Sequence, residues 1–463
     1  MTLFEKVKGW FMNLLPIKDD VFRKFNLQAK DEAQNSLIEE WLAVYQNGGG
    51  LAFPAVVCWD LAKKALGELE IRAISGSTED KDAQNVIDTL LEPNLRGQLE
   101  YALALGGVVA RPWYDTVKEK VRVGWYTADM IIPSAWDGDK LTGVVLIDQH
   151  IAKKNTYLKL ESIQPIENGW NIKTKLFKSV GGGLGNEVSL TEVPMWATID
   201  PDVDIENTPT PPFVYMKTPW ANNKVLNSPL GSSIYRDAMK AIEELEKAYR
   251  ALCWEIESGE RTVFVDDSMI MVDPNTGDDK MTQLEKKLYR KLSSTTANDL
   301  LEPFSPVLRV DELNAAIKTH LAIACMACHL DAGAYIYDQS MQAITATEVT
   351  ARQQQTYGTL VDIQSKMIEP FIYEYLDAIR VIQNLYDAKD ALVDNLELSI
   401  DFGDSVLTDE QADRSNAQNE VTVGLRSKVS YLMEYRGMSE AEALKEIERI
   451  KEETPVAIDF FGA

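Results

Sequence analysis

Apolar residues return at three- and four-residue spacing along the stretch from Thr347 to Tyr386. They stand at Tyr357, Leu360, Val361, Met367, Ile368, Phe371, Ile372, Tyr375, Ile379 and Ile382. That period predicts one long helix with one buried face, interrupted only by Pro370. At ~1.5 Å per residue the rod is roughly 60 Å long, about twice the width of a small domain. It carries no catalytic motif and points toward architecture.

The same period predicts helices at Ala33–Tyr45 and Ala55–Ile71, separated by Gly48-Gly49-Gly50. Asp82–Leu91 predicts a short helix stopped near Pro93, and Leu95–Leu105 another ended by Gly106-Gly107. From about Val108 to Pro219 the pattern changes to short strands. They are Val121–Tyr126, Thr142–Asp148, Tyr157–Ile163, Trp170–Leu176 and Phe213–Met216, with turn clusters between them. This predicts one antiparallel meander. Ser232 or Ser233 caps a helix running to about Ser258, and a second helix, Val310–Leu330, returns. Between them, Arg261–Val310 predicts a small insert. It has strands at Thr262–Val265 and Met269–Val272, a turn at Asp273–Gly277 and a charged helix near Leu284–Leu292. A strand, Leu396–Phe402, and helices at about Glu410–Leu425 and Ser439–Lys451 close the chain.

Composition narrows the function. The 463 residues are 45% hydrophobic, enough for a real core, and the net charge is −25. Such a chain repels phosphate and does not grip nucleic acid. Its acidity serves either plain solubility or a surface that must sit beside DNA without sticking. Four cysteines, Cys58, Cys253, Cys325 and Cys328, make no disulfide scaffold and read as a reduced, cytoplasmic product. Met1–Pro16 reads as an amphipathic helix rather than a secretion signal, and no apolar stretch is long enough to cross a membrane.

Candidate chemistry is sparse. Cys325-Met326-Ala327-Cys328-His329 fits the C-x-x-C-H haem-attachment spacing, but it lies inside a predicted helix where Cys and Ala pack well. The three potential ligands are also too few for a structural zinc site. Gly181–Gly185 lacks the Lys-Ser or Lys-Thr of a phosphate loop and reads as a hairpin tip. Asp273–Asp278 lacks the closing glutamate of a calcium loop and reads as a turn. Three histidines, His150, His320 and His329, give no nucleophile–base pairing. No metal, cofactor or catalytic residue is assigned.

Several stretches, taken in order, resemble the portal proteins of tailed double-stranded DNA bacteriophages, siphophage branch. They are Ile38–Trp41 through Tyr45–Gly48, Glu100–Gly107, Thr127–Asp129 with Pro133, and Ser228–Tyr235. Leu308–Glu312, Thr345–Val349 and Gly437–Ala443 follow. Tyr335–Met341 departs from the family, which usually carries glycines there.

The resemblance implies an α+β portal fold: long stem helices, an inserted small α/β clip, a β-containing wing with a long kinked helix, and a helical C-terminal crown. It implies wing 1–231, stem helix 232–258, clip 259–309, second stem helix 310–333, tunnel loop 334–346, wing 347–402 and crown 403–463. The tunnel loop would present Tyr337, Asp338, Gln339, Ser340, Met341, Gln342 and Thr345 to DNA. Lys286, Lys287, Arg290 and Lys291 form either a solvated helix face or a clip surface for the motor or tail adaptor. The implied assembly is a ring of twelve at one capsid vertex of the virion, formed in the bacterial host cytoplasm. Its expected partners are transiently bound double-stranded DNA, the terminase large subunit, the major capsid and scaffolding proteins, and a head–tail adaptor, with no membrane. The resemblance implies no enzymatic activity, and the absence of an ATP-binding loop agrees with a motor on another chain. The alternatives are another ring-forming virion or tail protein without a DNA channel, or a metal-dependent nuclease.

Overall fold

The computed structural model describes residues 20–21, 24–25, 32–46, 50–75, 78–116, 118–152, 155–180, 183–259, 262–266, 289–292, 301–304, 307–336, 346–386, 392, 396–403, 410–436 and 438–453. The chain starts with α1 (Glu32–Gln46) and α2 (Phe53–Leu66), then β1 (Glu70–Ser75) and the short β2 (Thr78–Glu79). The helix predicted to Ile71 thus ends at Leu66. Ile71 and Ala73 point into the core from β1 instead.

Next come α3 (Lys81–Val86), a π-turn (Ile87–Leu91) and α4 (Glu92–Leu105), which run on as one helix. Pro93 does not stop it. Proline has no N–H and its ring crowds the preceding turn, so the helix widens by one residue ahead of it. Asp80 caps the start, its side chain accepting from the N–H groups of Asp82 and Ala83.

Two sheets follow rather than one meander. The strands are β3 (Gly107–Asp115), β4 (Lys120–Thr127), β5 (Ile131–Asp137), β6 (Lys140–Ala152), β7 (Asn155–Ile166), β8 (Gly169–Val180), β9 (Gly183–Val188), β10 (Asp202–Glu206) and β11 (Val214–Lys217). β11-β3-β4 form one antiparallel sheet, and β10-β8-β7-β6-β5 another, with β9 also paired to β8. β8 and β9 pair as a hairpin, Gly183–Gly185 of the expected hairpin tip lie in β9 itself, and Gly181 and Gly182 lie outside the described residues.

The second sheet is buried on both faces. Val144, Leu146 and Ile163 enter the main core, while Val145, Ile147, Leu158 and Leu160 enter a second one with Phe177 and Val21. Period-two alternation produces this split, since neighbouring side chains point to opposite faces.

The helix α5 (Met239–Ser258) is shorter at its start than predicted: residues 234–238 are turns. The insert holds β12 (Thr262–Asp266), β13 (Tyr289–Leu292) and β14 (Leu301–Phe304), with β12 parallel to β13 and antiparallel to β14. The charged helix predicted near Leu284–Leu292 is therefore a strand at its C-terminal end. Pairing of Val263 with Tyr289 and of Val265 with Lys291 overrides the local helical pattern. α6 (Val310–Ala327) returns alongside α5.

The long helix is present as α7 (Ala346–Ile363), a π-turn (Gln364–Ile368) and α8 (Glu369–Leu385). Pro370 again stands two residues after the end of a π-turn. β15 (Glu397–Asp401) pairs with β1, and α9 (Glu410–Val423), α10 (Lys428–Arg436) and α11 (Glu440–Glu453) follow. α10 has no counterpart in the sequence pattern.

α4 and α8 both pack on the β11-β3-β4 sheet, with Phe371, Ile372, Tyr375, Leu376 and Ile379 of α8 buried. Trp125 of β4 stacks on Tyr375 at 5.8 Å and lies 5.9 Å from Phe371. Each such large apolar side chain contributes about 1.5–3 kcal/mol by leaving water. The α+β class expected from the sequence is what the chain adopts.

Candidate functional site

Three places on this frame bear on function: a knot ahead of α5, the open end of the α5–α6 pair, and the take-off of the 337–345 segment.

The knot is residues 228–236. It is almost wholly buried, yet it is not helix or strand, so its backbone groups need partners elsewhere. Gln34 of α1 donates to the Gly231 carbonyl at 2.8 Å, and the Tyr215 hydroxyl accepts from the Gly231 N–H at 3.0 Å. Thr218 Oγ1 accepts from the Ser232 N–H, and Trp220 Nε1 donates to the Ser232 carbonyl at 2.7 Å. Ile234 N–H donates to the Leu103 carbonyl of α4. Tyr235 reaches back to the Trp41 carbonyl at 3.0 Å, and burial holds its phenol protonated. Arg236 lies over Trp220 at 5.5 Å, contacts Asp237 at 3.3 Å, and donates to the Ser233 carbonyl. Every later turn of α5 therefore starts from a fixed base. The sequence signal for this was the apolar-plus-serine run Pro229–Tyr235, read as a helix entry.

The open end of the α5–α6 pair is closed by Glu255 and Arg309. Arg309 Nη2 donates to Glu255 Oε2 at 2.8 Å, and its backbone N–H and Nε reach Oε1 at 3.2 and 3.3 Å. Hydrogen bonds from Arg309 hold the Glu255 carboxyl below its ordinary range. The pair sits where the insert leaves and rejoins the helices, so it fixes the spacing of the two strands of chain entering that insert. No sequence pattern marks it, because the two residues are 54 apart.

Arg290 and Lys291 lie on β13, opposite Phe264 and Val265. Lys286 and Lys287 lie outside the described residues, as do all seven residues expected on the tunnel loop: Tyr337, Asp338, Gln339, Ser340, Met341, Gln342 and Thr345. The two flanks of that loop are described. Upstream, Tyr335 donates to Asp60 Oδ2 at 2.7 Å and meets Phe53 edge-on at 6.3 Å. Asp331 caps a short 3-10 turn by accepting from the Gly333 N–H, and its own N–H donates to Thr356 Oγ1 of α7 at 2.9 Å. Thr359 donates to the His329 carbonyl at 2.9 Å. The upstream flank of the segment is thus tied to α2 and α7.

The C-x-x-C-H run is a helix terminus. Cys325 and Cys328 are buried free thiols, and burial pushes Cys325 up to about 12 and Cys328 higher still. Such thiols are packing groups, not thiolate nucleophiles. His329 has φ 58, and it donates from its N–H to the Met326 carbonyl while Leu330 N–H reaches Cys325. That double bond pattern is the left-handed cap that usually takes glycine or asparagine. His329 is there to end α6. Among the described residues no cluster of His, Cys, Asp and Glu could hold a metal ion. None of their helices is long and apolar enough to cross a membrane.

Residues 74–457 match the family model described as phage portal protein, SPP1 Gp6-like. No curated protein matches the sequence. Similar solved structures include a chain from the neck of an empty GTA particle computed with C6 symmetry. It is 9% identical, with a TM-score of 0.42 over 85% of this chain and 92% of that one. A chain from the neck of the native GTA particle computed with C12 symmetry is 10% identical, with a TM-score of 0.39 over 84% and 91%. A chain from the virion of the native gene transfer agent particle is 10% identical, with a TM-score of 0.41 over 86% and 94%.

Proposed function

The chain belongs to the phage portal protein family, SPP1 Gp6-like, and from that premise we propose how it works as a portal at one capsid vertex. Twelve copies, the number that the family resemblance implies, stand side by side around an axial channel. Double-stranded DNA passes through that channel during packaging, is retained there, and leaves through it on ejection. The observation that carries this reading is the family match across residues 74–457.

The chemistry of the chain supports a passive conduit. With a net charge of −25, it offers phosphate few binding points, and each contact avoided is a barrier to sliding removed. α5 and α6 are the stem, and the insert between them is the clip. Arg290 and Lys291, with Lys286 and Lys287, are the basic surface offered to the terminase large subunit or head–tail adaptor. The 334–346 segment is the tunnel loop, and its residues Gln339, Ser340, Met341, Gln342 and Thr345 touch DNA weakly and without regard to sequence. The remaining α-helical and sheet layers are the wing, which meets the capsid and scaffolding proteins, and α9–α11 are the crown. Assembly takes place in the bacterial host cytoplasm. The family is one of structural proteins, and this chain works without turnover of its own.

Electron microscopy of the purified protein tests the reading. Rings with a central hole are expected; a particle that stays monomeric at high concentration overturns it. Deleting 334–344 is expected to lower the genome content of particles, and unchanged content would remove the tunnel-loop assignment.

A further inference from the structure

A cleft opens where three elements meet: the β5–β6 turn, β11, and the helical run from the second π-turn into α8. The two periods of the chain bring its walls together. Phe213, Tyr215 and Lys217 stand two apart on and just before β11, and so share one side of the strand. Met367, Phe371 and Glu374 recur at four and three along the helix, and so share one stripe. The floor is apolar, with Phe213, Leu141, Met367 and Phe371 all buried.

The rim is basic. Lys140, Lys217 and Lys366 gather around this one cleft, in a chain whose net charge is −25. Two of the three are compensated. Lys140 reaches from the turn to Glu374 of α8 at 3.2 Å, and Lys366 pairs with Asp362. Lys217 differs. Among the described residues it makes no ion pair, and its ammonium donates to the Asp139 carbonyl at 3.0 Å. An ammonium has three donors, so two are left without a protein partner. Burial also lowers the Lys217 ammonium below the ordinary lysine range, against the opposing pull of Asp139. A half-buried cation that has lost part of its hydration gains from an anion beside it.

Size and charge select the ligand. The cleft holds about 200 Å³, below the roughly 300–1,000 Å³ of sites for larger ligands. It has room for one ring or branched chain, not for a nucleotide. One uncompensated cation matches one negative charge. A phosphate monoester carries nearly two and gathers several donors. Here Glu374 would repel it, and the helix runs through the cleft unbroken, with no free N-terminal N–H groups to offer. We propose that this cleft binds a small carboxylate with an apolar body. The body lies on Phe213, Met367 and Phe371, and the carboxylate meets the ammonium of Lys217. This site goes beyond the channel reading and needs no second copy of the chain. Bound there, the acid adds to the weak surface pair Lys140–Glu374 in holding the β5–β6 turn to α8.

The experiment uses the full-length protein and 3-phenylpropionate as the probe. Titration calorimetry gives its affinity, and mass spectrometry gives the rate at which acetic anhydride acylates Lys217. The probe is expected to slow acylation of Lys217 about fivefold or more and to leave Lys240 on α5 unaffected. The uncharged 3-phenylpropanol and acetate, which lacks the body, are expected to do neither. Lys217→Gln is expected to weaken binding about tenfold or more, because the uncompensated charge is gone. Lys217→Arg keeps a cation and is expected to bind within about threefold of wild type, as is Lys240→Gln. The protection measurement needs no variant, so it holds even if Lys217→Gln disturbs the turn. No protection of Lys217 at millimolar probe overturns the inference. So does equal binding of 3-phenylpropanol, or unchanged affinity in Lys217→Gln. Binding of a capped peptide with an aspartate beside a phenylalanine, without binding of the free acid, overturns the small-ligand assignment as well.

Discussion

The backbone of Gly231 lies directly against the backbone of Gly106, and neither residue has space for a β-carbon. A Cβ on Gly106 would come within 2.5 Å of the Gly231 carbonyl group, and one on Gly231 would overlap the Gly106 carbonyl oxygen. The contact joins the end of α4 to the knot that precedes α5. It couples the layer built on the first sheet to the base of α5.

Alanine at either glycine is therefore expected to be severely destabilising. Gly106 also has φ 96, where an alanine adds strain of its own. A loss of about 2–4 kcal/mol is expected, read as a lower thermal midpoint and poor soluble yield. Gly97→Ala is the control. It lies in the exposed helix interior of α4 with nothing within 4 Å of a new Cβ, and is expected to stabilise by up to about 1 kcal/mol.

Much of the frame was legible in the sequence. Long amphipathic stripes identified α5, α6, α7 and α8, because burial of one face imposes a period that survives without knowledge of the partner. β6, β7 and β8 were equally visible. Other features were not. Pro93 and Pro370 read as breaks, because a π-turn that absorbs a proline leaves no mark in the pattern. Residues 234–238 read as helix, because their apolar spacing reflects burial in a knot tied by Gln34, Tyr215, Thr218 and Trp220. The Glu255–Arg309 and Asp60–Tyr335 contacts depend on tertiary placement alone. The family resemblance, carried by short runs such as Thr345–Val349, supplied the function that no single motif could.

His329→Gly is expected to be neutral or to stabilise by about 0.5–1 kcal/mol, since glycine adopts the left-handed cap without strain. A rise of the thermal midpoint, with assembly unchanged, is the measurement. A large loss would show that the imidazole has a further role.

The Glu255–Arg309 pair should respond to acid. The folded-state carboxyl lies below its ordinary value of 4.5. Its contribution is therefore present above about that pH and is lost as pH falls through the lower folded value. Protection factors at residues 255–259 and 309–313, corrected for the intrinsic exchange rate at each pH, are expected to fall below pH 4.5, ahead of the core of the first sheet. Glu255→Gln should show fast exchange there already at neutral pH. An unchanged profile would mean that the pair does not hold the end of the α5–α6 pair closed.

Tyr375→Phe removes one hydroxyl between the two helices that contain π-turns. That hydroxyl donates at 3.0 Å to the carbonyl of Leu90, inside the first π-turn, where Asn94 Nδ2 also donates at 3.2 Å. The cost is expected to be about 1 kcal/mol, because Asn94 still satisfies the carbonyl. Asn94→Ala combined with Tyr375→Phe should cost more than the two single changes together, measured by urea midpoints in a double-mutant cycle.

The two sheets are joined by a buried charge network, and removing one member should be far worse than removing the network. Arg111 of β3 donates to Glu161 of β7 at 2.7 Å, and Lys159 reaches Asp148 at 2.6 Å and Glu161 at 3.7 Å. Tyr126 of β4 donates to Asp148 at 2.8 Å. Burial alone would raise the Glu161 carboxyl, but Arg111, then Lys159, more than offset it and hold the group below 4.5. The stabilisation is thus complete above the ordinary carboxylate range and disappears as pH falls through the lower folded value. Arg111→Ala strands a carboxylate among buried residues and is expected to cost about 3–5 kcal/mol at pH 7. Glu161→Gln keeps the shape but leaves two cations less compensated, so it should lose stability at neutral pH and show a flatter acid limb than wild type. Replacing Arg111 and Glu161 together with methionine is expected to recover most of the loss, because the desolvation cost of both charges disappears with them. If the double replacement is as unstable as Arg111→Ala, the two sheets are held in register by this charge pair itself and not by the packing around it.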